Sequence, residues 1–142
     1  MPVSYTIFPN RDLVVVHYEG FVGLDETMVS IDTYARDPDF RPDQKFLFDL
    51  SRVTGHETDF LRFFQMQGQL VEVYGQTGHD QLFGLYAPTG PAKAMANLGY
   101  QSWESVPAIV MLIHHDEAEV LRFLGQPETR IADLFASIEA ER

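Results

Sequence analysis

Residues 48–60 read FDLSRVTGHETDF and set Asp49, Ser51, Thr54, His56, Glu57, Thr58 and Asp59 almost side by side. His56, Ser51 and Asp49 are the residue types of a hydrolytic triad, in which the imidazole takes the hydroxyl proton and the carboxylate orients its far nitrogen. Their crowding into one short stretch opposes that use. The base must meet the nucleophile on one side and its orienting group on the other, and no G-x-S-x-G elbow presents the serine. Thr58 suits a helix cap, accepting from a backbone N–H two or three residues on, and Asp59 then adds negative charge where the helix dipole favours it. The expectation is a binding or regulatory surface over these seven residues, without catalysis.

A second group stands at Thr89, Gly90 and Lys93 in APTGPAKAM and at His114 and His115 in HHDE. In open α/β sheets ligands bind beyond the carboxyl ends of parallel strands, so the loops after FDL, LYA and MLI form the rim of any pocket. Lys93 and backbone N–H groups at a helix start offer a small anion a seat. Adjacent histidines on an extended segment point to opposite sides, and no H-E-x-x-H spacing is present, so neither metal nor cofactor is expected. Asp116 reads as the cap of the next helix.

The elements that must carry these groups follow from period. SYTIF and LVVVHY are β-branched and aromatic runs separated by Pro9, Asn10, Arg11 and Asp12, a hairpin with turn chemistry between its strands. Leu24, Met28, Ile31 and Ala35 share a helix face that ends before Pro38. KFLFDL predicts a short strand. A helix follows from Glu57 or Thr58 to about Tyr74, with Phe60, Phe63, Phe64, Leu70, Val71 and Tyr74 inward and Met66 and Val73 widening the apolar arc. QLFGLYA predicts a strand and GPAKAMANLGY a helix, with Pro91 at its first position and Gly99 at its end. PAIVMLI, almost continuously apolar, predicts a central strand covered on both faces. Two helices close the chain, Asp116 to Leu124 and Glu128 to about Ala140. The order β-β-α-β-α-β-α-β-α-α implies an α/β domain with a mixed, mostly parallel five-stranded sheet, helices as crossovers and an N-terminal hairpin.

Composition bounds the rest. The chain has 142 residues, with 45% hydrophobic and 13% aromatic content, enough for one domain with a real core. Acidic residues outnumber basic ones 21 to 10, for a net charge of −11, which repels nucleic-acid backbones and anionic lipid headgroups. No cysteine is present, which excludes disulfides and thiolate chemistry and fits a reducing cytoplasm. The N-terminus lacks the pattern of a signal peptide, and the longest apolar run is too short to cross a bilayer. A cytoplasmic protein is expected, with neither nucleic acid nor a membrane span among its associations. A second copy could pair through Met66, Val73 or an uncovered strand edge.

The phrases HYEGFVGLDE, DPDFRPDQKFLFDLSRV and VMLIHHDEAEVLRFLG, within about Val14 to Gly125, resemble the SpoIIAA-like group. These bacterial proteins are related to STAS domains and share kinship with Sec14-type lipid-binding domains. The resemblance implies a binding or regulatory module working through protein–protein contact. In STAS antagonists the matching segment runs D-L-S-x-V-x-F-I-D-S-S-G, with its first paired serine phosphorylated. Asp49, Leu50, Ser51 and Val53 match, whereas Glu57, Thr58, Asp59 and Phe60 replace the family's D-S-S-G, so fixed charge stands beside the hydroxyl that a phosphate would use. The Sec14-type kinship and the Phe-rich second helix imply an alternative, a carrier of a small apolar or anionic ligand, which requires an apolar cavity. A hydrolase using strand-end polar groups is the further alternative, and it requires His56 within hydrogen-bond reach of Ser51 or Thr58.

Overall fold

The computed structural model describes residues 2–58, 81–103 and 109–141, with side chains excluded at 102–103 and 138–141. The expected helix from Thr58 to Tyr74, with Met66 and Val73, lies outside the described residues from position 59 onward. Strand β1 (Val3–Phe8) turns through a 3-10 segment, Pro9–Arg11, into β2 (Leu13–Val22). Asp12 closes that turn in the left-handed region at φ 49°. Helix α1 (Leu24–Ala35), β3 (Lys45–His56) and β4 (Gln81–Tyr86) follow, then α2 (Gly90–Trp103), β5 (Ile109–His114), α3 (Glu117–Phe123) and α4 (Ile131–Glu141).

The sheet has five strands in the order β1-β2-β3-β4-β5. The first pair is antiparallel and the other three are parallel, which is the expected mixed sheet with its N-terminal hairpin. Parallel connections are right-handed, and strand order advances in one direction, so α1 and α2 fall on the same face. There Val14, Val16, Tyr18, Phe46, Leu50, Phe83 and Leu85 pack with Tyr34, Ala92 and Ala96. The opposite face sets Leu13, Val15 and Leu47 against Val120, Leu121 and Leu124 of the α3 region and Ile131 and Leu134 of α4. β2, β3 and β4 thus divide their side chains between two cores, as a pleat of period two requires.

β4 packs closely against α3. A Cβ at Gly84 would lie 2.8 Å from Val120 Cγ1 and 3.0 Å from Leu124 Cδ1, so the helix can approach only because that strand position has no side chain. The end of α3 is set by Gly125 at φ +73°. Its N–H donates to the Arg122 carbonyl at 3.0 Å, and that of Gln126 donates to the Leu121 carbonyl at 2.9 Å, the paired bonds of a Schellman stop.

Three sequence expectations are corrected. β3 does not end at Leu50: Glu19, Gly20, Phe21 and Val22 of a longer β2 pair with Arg52, Val53, Gly55 and His56, so SRVTGH is strand and not loop. Two register breaks absorb the extra β3 residues, which disguised the alternation. β5 is an edge strand, not a central one. Nor is it covered on both faces: none of its residues is fully buried and Val110 is 39% exposed, so its apolar run did not report its place in the sheet. Helix α2 runs past Gly99 to Trp103. Gly99 therefore occupies the interior, a position that costs helix stability but does not forbid the helix.

Candidate functional site

The long β3 carries the described members of the 49–58 stretch to two faces. Asp49 lies on the α3/α4 side with Leu47, where β2 presents His17 directly opposite. His17 Nδ1 stands 3.3 Å from Asp49 Oδ2. Ser51 donates to Asp49 Oδ1 twice, from its hydroxyl at 2.6 Å and from its backbone N–H at 3.0 Å. Burial alone would raise the Asp49 pKa, but the hydrogen bonds from His17 and Ser51, with the attraction of the imidazole, outweigh it and hold the carboxyl below its ordinary value. Phe135 of α4 covers the His17 ring at a centroid distance of 5.3 Å. Tyr86 pairs with Asp49 across the β3–β4 ladder, and burial together with Glu117, Asp49 and Asp116 holds its phenol protonated.

This cluster contains the residue types of a triad in a different order. The carboxylate accepts from both the histidine and the serine, so the Ser51 hydroxyl is directed at Asp49 and not at an imidazole. His17, not His56, is the partner of Asp49. A phosphate on Ser51 would abut a carboxylate whose charged form is stabilised, an unfavourable placement. The sequence concealed His17 because nothing in LVVVHY distinguishes it from any polar residue of an alternating strand.

His56 and Glu57 belong to the other face. His56 pairs with Val22 at the end of β2, and burial lowers its pKa. The Glu57 carboxylate accepts the Leu24 N–H at 2.8 Å, and its own N–H donates to the Val22 carbonyl at 2.9 Å. Because Gly23 offers α1 no side-chain cap, Glu57 supplies one from just past the end of β3. Thr54 and Thr58 are exposed, and Asp59 lies outside the described residues.

His56 and Glu57 also reach a cavity of about 140 Å³ between the sheet, α1 and α2. Its described lining is mainly apolar: Val16, Leu50, Phe83 and Leu85 form the floor, and Ile31 and Met95 contribute from the helices. No lysine or arginine lines it among the described residues. Three tyrosines do. Tyr5 donates to Asp37 Oδ2 at 2.9 Å, with its pKa pushed up to about 12 by burial and by that carboxylate. The Tyr34 hydroxyl bonds to Gln44 Oε1. Tyr18 is only 8% exposed, and its hydroxyl makes no hydrogen bond among the described residues.

The strand-end loops after β4 and β5 form a separate, open cleft lined by Ala87, Lys93, Asn97, Ile113, His114 and His115. Thr89 stands behind it, accepting the Ala92 N–H at 3.2 Å, and Gly90 opens α2. The two histidines do not diverge as expected: their rings stack at 4.6 Å and 18°. The reason is that β5 ends at His114, so His115 is released from the pleat. His114 Nδ1 accepts the Asp116 N–H at 2.9 Å, and Asp116 caps α3 by accepting from Ala118 at 3.0 Å, as expected. Among the described residues no three His, Asp or Glu side chains are grouped to hold a metal ion. Nor is any described helix long and apolar enough to cross a membrane. The chain matches no protein-family model and no curated protein.

Proposed function

We propose that this chain is a SpoIIAA-like binding module whose ligand is a small, uncharged, largely apolar molecule held between the sheet and helices α1 and α2. The cavity carries this reading. Apolar cavities of roughly 150 Å³ hold a benzene-sized guest and stay dry without one, and the volume here, about 140 Å³, is of that order. A lining without lysine or arginine among the described residues, in a chain of net charge −11, favours a neutral ligand over an anion. The protein binds its ligand without transforming it in this reading, because the Ser51 hydroxyl is committed to Asp49 on the opposite face.

Toluene titrated into the isotope-labelled protein tests the proposal. Amide shifts are expected at cavity-floor residues such as Phe46, Leu50 and Leu85, with saturation below the aqueous solubility of toluene. A Cβ at Gly99 meets nothing within 4 Å and the residue lines the cavity, so Gly99→Leu fills the space and abolishes those shifts while strengthening the helix. An unresponsive wild-type spectrum up to saturation would sink the proposal.

A further inference from the structure

We infer that the cavity selects a ligand carrying one hydrogen-bond acceptor, a carbonyl or ether oxygen on an otherwise apolar body, and that the Tyr18 hydroxyl is the donor that recognises it. The inference rests on the cavity being a ligand site and adds the chemical class of the ligand.

Three phenols among the described residues share one place. Tyr5, Tyr18 and Tyr34 all line the cavity. The hydroxyls of Tyr5 and Tyr34 are engaged by Asp37 and Gln44. Tyr18 is the most central of the three, on β2 between the hairpin strand β1 and β3, packed at a centroid distance of 6.4 Å from Phe48. More than nine-tenths of it is buried, yet its hydroxyl bonds to nothing among the described residues. Among the described residues the fully buried side-chain polar atom left without a partner is Gln81 Oε1, so the Tyr18 hydroxyl keeps open space beside it on the cavity wall and is free to donate there. Burial also keeps the phenol protonated, so what it offers a guest is an O–H donor. A neutral guest with an acceptor oxygen satisfies it. A plain hydrocarbon leaves it unpaired, and a carboxylate would enter a lining that contains Glu57 and no described cation.

Acetophenone and α-methylstyrene give the test. They share shape and size, differing by a carbonyl oxygen against a methylene. Their dissociation constants would be measured on the full chain and on Tyr18→Phe by spectral titration, with thermal unfolding of both proteins alongside. The expected result is that Tyr18→Phe weakens acetophenone binding about fivefold to thirtyfold and leaves α-methylstyrene within twofold. The variant without ligand should unfold no earlier than the wild type, since the hydroxyl has no bond to lose. If both probes bind and the substitution affects neither, or both equally, the role of Tyr18 is overturned while the cavity reading stands. A clear loss of unfolding temperature in the unliganded variant also overturns it, by showing that the hydroxyl already has a structural partner. Failure of both probes to bind the wild type overturns the cavity reading and this inference together.

Discussion

Asp49 receives two hydrogen bonds from Ser51 and stands 3.3 Å from His17 Nδ1, in a half-buried setting. Its pKa is depressed in the folded state, so the stability it contributes is fully present above the ordinary carboxylate value and is lost as pH falls through the folded one. Asp49→Asn keeps an acceptor but removes the titration. The variant should be less stable at pH 7 by about 1–3 kcal/mol and show a shallower loss of stability below about pH 4. Chemical denaturation repeated from pH 7 to pH 2.5 measures both, and an unchanged acid slope would show that Asp49 is not so bonded in solution. Its partner His17 could not be found by reading 48–60, because the pair exists only through the parallel register of β2 on β3. Glu57 is the converse case. It looked like part of a charged surface, and it serves as the cap that Gly23 cannot provide to α1.

Elements obeyed their local signals where those signals were unambiguous. Helix α1 stops at Ala35, before Pro38, and α3 takes its cap from Asp116 and its stop from Gly125. The second half of β3 is not legible in the sequence, because Ser51, Arg52, Thr54, Gly55 and His56 have loop composition, while their strand geometry comes from pairing with the end of β2. The β4–α3 contact gives the test at this scale. Gly84→Ala places a methyl group against Val120 and Leu124, both fully buried, so the helix must shift or the side chains must leave their rotamers. The expected loss is about 1–3 kcal/mol, read as a lowered denaturant midpoint with an unchanged slope. Wild-type stability in this variant would mean that α3 packs less closely on β4 than described.

Arg11 ties the hairpin turn to the far end of the chain. Its guanidinium donates to Glu128, to Gln126 at 2.9 Å and to Ser137 at 3.0 Å, joining the β1–β2 turn to α4. The ion pair is largely shielded, with 21% of the Arg11 side chain and 13% of the Glu128 side chain exposed, so solvent screening is incomplete. Arg11→Ala should cost about 2–3 kcal/mol and speed hydrogen exchange in the amides of α4 more than in those of α1. Equal acceleration in both helices would refute a specific tie. The two cores also separate the Asp49 cluster from the cavity: the cluster lies with α3 and α4, while the cavity lies with α1 and α2.

Hydrophobic period, turn residues and caps determined the order of the described elements, the hairpin and the mixed α/β class, because each depends on residues within a few positions of one another. Tertiary structure alone decided that β5 is an edge, that His17 serves Asp49, that His56 and Glu57 turn away from Ser51, and that a cavity opens beside Tyr18. Those outcomes depend on strand register and on how closely helices approach the sheet. Period reports which face of a strand is covered, but neither which strand lies beside it nor how completely the covering helices fill the space above it.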